Sequence, residues 1–520
     1  MKNKKRIYSI LIILLFVLIL ICQYLNNINT FKKPPSENWS KEVTVGNGNC
    51  RNNPILIKDK DNLIIGYDNG NELKLSVTDK LGKVILEKSY DIKENFIMGL
   101  ALLKWKDGYV FNYMSSEDGN GYIESLVLDK NYNKIDEKKV TNIKAMKQLS
   151  DNLLLIGYKD KLELINTETA HKEFIPANNI SMVASTKIKE GYFITLLENN
   201  ELIKVCYVKD GKFSGERNII SMIKMSNASY SNLACSLDDK FGYVLLEERS
   251  KGVFVGTKVI QFELKGNEVK DYTLEVNGNN NVYYNTGVYS ENGARFLATT
   301  TRKLNKNNVQ ENIIDYTINN GKVEKFEYAT RLRDLNIYPY ANEDMMVFIS
   351  FNEKDNYSVN LASTNEGFKN ANNVSRKIEY KQALISSVEG VMFSLAYLFI
   401  YALMWIIPSI VLVGLFSFFD YKLNKSKKLK IFLVCAVFTT LVKIIAINSV
   451  IYGRYIEMLP QFISSKVIGI LILSIISLLC YGFGYERFKK EPENIILFPF
   501  GISLILDSLL TLLVFIPFII

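Results

Sequence analysis

One histidine, His171, serves the whole 520-residue chain, and it lies in the polar hairpin stretch Thr167 to Lys172, where a solvated turn residue explains it. Ser-His-Asp hydrolysis, Cys-His proteolysis and histidine-rich zinc sites all need a histidine set among other working groups. Those classes are close to excluded. Cysteine is sparse too: of six, Cys22, Cys435 and Cys480 fall in or beside apolar runs, leaving Cys50, Cys206 and Cys235 elsewhere. An odd number cannot all pair, and no spacing suggests a disulfide framework. Cys206 and Cys235 are expected as buried free thiols, with a bond between them as the alternative.

Walker loops, dinucleotide fingerprints and a full EF-hand are lacking as well. The acidic loops Asp59 to Asn62 and Ser116 to Gly121 read as plain turns, so neither a metal ion nor a cofactor is expected. Ser221 and Lys224 have a Ser-x-x-Lys spacing, but the companion motifs of penicillin-binding proteins are missing, and no catalytic residue is assigned.

Turn signals, by contrast, are abundant. Polar tips recur about seven times between residues 53 and 375: Asp79 to Gly82, Asp129 to Asn131, Asn166 to Glu168, Asp210-Gly211, Lys265 to Asn267, Asn319 to Gly321 and Thr364 to Gly367. Gly, Asn and Asp tolerate the positive φ of tight hairpins, so these residues mark turns for a mechanical reason. Before each tip stands a short apolar run suited to a strand buried on both faces: Leu63 to Tyr67, Tyr109 to Met114, Leu153 to Tyr158, Tyr192 to Leu197, Tyr243 to Leu246, Phe296 to Thr300 and Met345 to Phe351. Most are introduced by a turn residue, such as Asp107-Gly108 or Glu190-Gly191.

The period lies near the roughly 40 to 50 residues of a four-stranded propeller blade. By pattern and period, residues 41 to 380 resemble β-propeller repeat domains, without any signature specific to one family. The expected fold class is therefore an all-β extracytoplasmic propeller of about seven blades plus an α-helical transmembrane bundle. Evenly spaced short strands also suit a two-sheet sandwich or a pair of smaller β domains. The isolated strand Glu42 to Val45 offers a closing device, since it could complete the last blade and remove exposed edges. Ser363 to Phe368 resembles the Asp-box turn of sialidase-type propellers, with Asn365 in place of the Asp and the Trp missing.

Long apolar runs flank the repeats. The basic N-terminus 1–6 precedes an expected anchor at 7–25 and a linker at 26–40. Bulky Ile19, Leu20 and Ile21 before Cys22 argue against cleavage there. After Tyr380 the apolar blocks are 384–419, 431–452, 466–484 and 495–520. About 20 helical residues cross a bilayer, so the last three blocks each fit one span. The first is read as a membrane-proximal helix joined to a span bent near Pro408.

Lysine and arginine collect in short cytoplasmic loops. An inside N-terminus puts Lys2, Lys4, Lys5 and Arg6, then Lys422, Lys425, Lys427, Lys428 and Lys430, then Arg487, Lys489 and Lys490 on that side. Only Arg454 and Lys466 fall in the short outer loop, and twelve against two selects five spans with the propeller and C-terminus outside. The net charge of +9 partly reflects this belt, which suits anionic lipid, and no nucleic-acid partner is expected. Heavy use of Asn, Lys and Ile suggests an AT-rich bacterial genome, hence a bacterial cell membrane.

Two charges lie within these spans. Lys443 and Asp507 each stand twelve residues into a span running inside to outside, about 18 Å deep at ~1.5 Å per residue. Shared depth and opposite sign predict an intramembrane ion pair, with Asn448 adding a hydrogen bond. Among loop aromatics, Tyr283, Tyr284, Tyr338 and Tyr340 form a candidate ligand platform for sugar or peptide.

The function expected from these features is a membrane-anchored binding or scaffold protein whose propeller engages a cell-envelope ligand or partner protein. The alternatives are an envelope polysaccharide-active enzyme using carboxylates at the propeller opening, and an accessory subunit of a transport or assembly complex.

Overall fold

The computed structural model describes residues 2–92, 96–222, 228–303, 309–331, 335–352, 356–419, 423–490 and 495–519. Two compact units emerge: Pro34–Arg302 with Gln310–Val374, and Met1–Lys33 with Lys303–Val309 and Ser375–Ile520.

The first unit is a seven-bladed β-propeller of four-stranded antiparallel sheets. Each apolar run singled out in the sequence is the second strand of a blade, because that strand is covered on both faces by its neighbours. In blade 1, Asn62–Asp68 is almost wholly buried between Ile55–Asp59 and Glu72–Asp79, while the outermost strand Val84–Asp91 alternates toward solvent. The innermost strands are Ile55–Asp59, Gly99–Trp105, Ala145–Gln148, Ile180–Ile188, Ala228–Leu237, Val282–Val288 and Leu335–Asn342. Each lies against the innermost strand of the next blade, and the last returns to the first, closing the ring.

Closure uses the N-terminal strand Val43–Gly48, which pairs with Asn356–Ser363 as the outer strand of blade 7. Neighbouring side chains fasten it. Trp39 Nε1 donates to Asp315 Oδ2 at 3.0 Å, Arg295 forks onto the same carboxylate, and Arg331 pairs with Glu42.

Six of the seven polar tips join the third and fourth strands of their blades. Asp79 and Asp129 close their turns alike, each Oδ1 accepting backbone N–H groups two and four residues on. In Asp210-Gly211 and Asn320-Gly321 both φ values are positive, the requirement that selects Asn, Asp and Gly. The seventh, Thr364 to Gly367, is no hairpin. Blade 7 takes its fourth strand from the N-terminus, so the chain is free to leave, and Asn365 instead caps a helix by accepting from the backbone of Gly367 and Phe368.

The helices are α1 Lys2–Lys32, α2 Glu366–Asn372, α3 Lys377–Tyr397, α4 Leu403–Phe418, α5 Lys425–Ile447, α6 Gln461–Ser464, α7 Lys466–Lys490 and α8 Leu497–Phe515. Among the described residues four helical stretches, Arg6–Lys32, Lys425–Tyr452, Lys466–Lys490 and Leu497–Phe518, are long and apolar enough to cross a membrane, and α4 is a shorter apolar helix. The run 384–419 breaks at residues 398–402 and not at Pro408, which lies inside α4. There the bond that proline cannot donate would reach only Met404 in the first turn, so α4 persists through it. Buried Trp405, Phe432, Cys435, Leu473, Ile476 and Leu504 contribute to one common core of this unit.

Candidate functional site

The turns between first and second strands gather around one mouth of the propeller axis, and a cavity of about 700 Å³ opens there. Its charged lining is Lys58, Lys104, Lys106, Lys147 and Lys187 with Asp151, Glu168 and Glu343. Most of these charges are tied together across blades. Lys58 Nζ donates to Glu343 at 3.1 Å and to Asp344 at 2.6 Å, and Lys187 Nζ reaches Glu343 at 2.9 Å. Lys104 stands 3.5 Å from Asp59 and 3.4 Å from Asp151.

The lysines set the carboxylates apart. Hydrogen bonds from Lys187 and Lys58 hold Glu343 below the usual glutamate range. Desolvation pushes Asp151 upward, and Lys104 only partly offsets it. Burial opposes the charge on Lys58, but its two carboxylate partners outweigh that and keep its pKa above the ordinary lysine value.

The carboxylates Asp59, Asp151 and Glu343 read in the sequence as turn residues and the lysines did not stand out, although a signal was there. Lys58-Asp-Lys-Asp-Asn-Leu63, Lys104-Trp-Lys-Asp-Gly-Tyr109 and Lys187-Ile-Lys-Glu-Gly-Tyr192 share one pattern in blades 1, 2 and 4. The first lysine of each faces the second strand one residue pair before the turn, opposite Leu63, Tyr109 and Tyr192. Comparing turn residues alone hides it, since the lysine belongs to the preceding strand.

The four platform tyrosines do not stay together. Tyr283, Tyr284 and Tyr338 cluster toward the ends of the inner strands away from this mouth, with ring centroids 5.1 Å apart for the first two and 4.3 Å for Tyr284 and Tyr338. Phe254 joins at 5.3 Å from Tyr283, whose hydroxyl donates to Glu311. Tyr340 lines the lysine-bearing mouth instead. A bulge between Ile337 and Tyr340, with Tyr338 at φ 58°, breaks the two-residue alternation that would have kept Tyr338 and Tyr340 on one face. Tyr284 is also left-handed, at φ 52°, beside a bulge between Tyr283 and Thr286.

In the helical unit Lys443 of α5 and Asp507 of α8 are fully buried, with Lys443 Nζ donating to Asp507 Oδ1 at 2.7 Å. The ammonium also donates to Ser477 Oγ at 2.7 Å, Thr511 Oγ1 at 3.2 Å and the Leu473 carbonyl at 3.3 Å. Ser477 Oγ donates to the same carboxylate oxygen, so four groups on α5, α7 and α8 form one network. Asn448 takes no part and is exposed. Five residues at ~100° each carry it about 140° around the helix from Lys443.

His171 lines a small surface recess with Asn166 and Asp210, apart from the mouth. Cys206 and Cys235 are buried free thiols, as is Cys50. Ser221 ends a strand, and Lys224 lies outside the described residues.

No family model matches the chain, and no curated protein matches it. Solved structures to which it is similar include the N-terminal domain of Nup159, at 8% identity and TM-score 0.39, covering 64% of this chain and 97% of that one. The β-propeller domain of the Trilobed protease from Pyrococcus furiosus, described as having an open velcro topology, gives 11% identity and TM-score 0.37, with 62% and 97% covered. A prolyl endopeptidase structure gives 11% identity and TM-score 0.36, covering 63% of this chain but only 47% of that chain. The propeller assignment here rests on the strand pairing itself.

Proposed function

We propose that this chain is a membrane-tethered binding protein. Its apolar helices cross a bacterial cell membrane, its propeller stands on the outer side, and the axial mouth receives a cell-envelope ligand or partner protein. The observation that carries this reading is the open mouth with its lysine and carboxylate lining, which presents polar groups from blades 1, 2, 3, 4, 6 and 7 in one concavity. Such convergence of a few placed polar groups is what ligand sites have in common.

The polysaccharide-cleaving alternative would draw on Asp151 and Glu343. Both are engaged, Asp151 by Lys104 and Glu343 by two lysines. Glu343 is occupied by two lysines at once and is not free to act as nucleophile or base, so Asp151, although its pKa is raised, has no free carboxylate partner in Glu343, which favours binding over hydrolysis.

The test is crosslinking in intact cells followed by affinity capture. The wild type should yield a defined partner, and a variant carrying Lys106→Glu and Tyr289→Ala, both of which line the mouth, should lose it. Retention by that variant, with loss from Phe174→Ala on the exposed outer strand of blade 3 instead, would move the binding surface to the rim.

A further inference from the structure

Blade 3 departs from the repeated lysine pattern in a way that changes the floor of the mouth. It reads Gln148-Leu-Ser-Asp-Asn-Leu153, with glutamine where blades 1, 2 and 4 carry lysine. Its lysine, Lys147, stands one residue pair farther from the turn, opposite Leu155, and so deeper along the axis. The other inner-strand lysines of the mouth are matched by carboxylates, whereas among the described residues the Lys147 ammonium has neither an ion pair nor a hydrogen-bond partner. Desolvation inside the channel holds its pKa below the ordinary lysine value.

A second group in the same cavity is also unsatisfied. Thr186, on the adjoining inner strand of blade 4, is 4% exposed, and its Oγ1 is buried without a hydrogen-bond partner. A buried hydroxyl left unpaired is costly, and the half-buried Lys147 ammonium lines the same cavity without a protein acceptor. The wall beside them is closed. A Cβ on Gly287 would stand 2.0 Å from the Cys235 carbonyl oxygen and 3.1 Å from Thr186 Cβ, so only glycine lets the inner strands of blades 4, 5 and 6 approach this closely.

We propose that Lys147 and Thr186 together hold one oxyanion, a carboxylate or phosphate, of a ligand that enters the axial mouth. An ammonium and a hydroxyl both donate, and an oxyanion supplies the acceptors that the surrounding protein does not. The four carboxylates Asp59, Asp151, Glu343 and Asp344 are held by other lysines, which leaves Lys147 as the inner-strand lysine available to the ligand, while Lys106, past the end of its strand, is exposed and stands over the Trp105 ring. This site deepens the binding function proposed for the mouth and rests on it.

The test is reductive methylation of the full chain in detergent, followed residue by residue with mass spectrometry, in chloride, acetate or inorganic phosphate at equal ionic strength. Lys106, exposed at the same mouth, is the internal control. Lys147 should be protected about tenfold at an anion concentration near ten times its dissociation constant, with Lys106 unchanged. Protection by phosphate alone identifies a phosphate site, and protection by acetate as well identifies a carboxylate site. Thr186→Val should abolish the protection and Thr186→Ser should retain it. Equal methylation of Lys147 in all three salts, or full protection in Thr186→Val, overturns the proposal. If partner capture still depends on Lys106 and Tyr289 while Lys147 is unprotected, the anion site fails and the binding function stands. Protection of Lys147 without any partner captured through the mouth would keep the anion site and overturn that binding function.

Discussion

Lys443 and Asp507 are the residues whose burial is hardest to justify without each other. Both are fully inaccessible, and the ammonium spends its donors on Asp507, Ser477 and Thr511. Removing one partner strands the other charge, at a typical cost of about 3–5 kcal/mol, whereas removing both leaves only a cavity. Lys443→Ala should therefore lower the unfolding temperature in detergent more than Lys443→Ala with Asp507→Ala, and exchanging the two residues should preserve assembly. Equal damage from the single and double variants would mean that the two charges are not coupled. The pair was legible in the sequence because depth and sign can be counted along a helix. Its hydroxyl partners were not, since Ser477 and Thr511 acquire meaning only when α7 and α8 are brought to α5. The same holds for the unpaired Thr186 hydroxyl, which nothing in local sequence distinguishes from any other strand threonine.

At the scale of elements, the second strands could be read directly because burial on both faces demands an unbroken apolar run. The outermost strands carry no such constraint. Lys134–Ile143 is exposed at nearly every position, and its residues give no alternation to read. Bulges were equally invisible, and one of them separates Tyr340 from its expected neighbours. The closing strand is where element-level energetics can be tested. Val45 is 1% exposed and packs in a cluster with Tyr67, Val347 and Leu361, so the N-terminal strand joins blades 1 and 7. Val45→Asp buries an unpaired charge there, which costs several kcal/mol. Limited proteolysis should then cut first near the blade 7 edge, at protease levels that leave the wild type intact. Unchanged resistance would show that the ring does not depend on this closure.

For the whole molecule, a tethered binding protein requires the propeller on one side of a membrane and the lysine-rich start of α5 on the other. The native propeller thiols leave room for a clean test. Cys50, Cys206 and Cys235 are buried, and desolvation pushes Cys206 and Cys235 up to about 12, so they stay unreactive in the folded protein. Phe174 and Ser426 are both exposed, the former on the outer strand of blade 3 and the latter in the first turn of α5. The decisive measurement is labelling of single Phe174→Cys and Ser426→Cys variants, with Cys22→Ser in both, by a membrane-impermeant maleimide in intact and permeabilised cells. A tethered propeller on the outer face gives label at Phe174→Cys in intact cells and at Ser426→Cys only after permeabilisation; the opposite pattern, or label at both positions in intact cells, would contradict it.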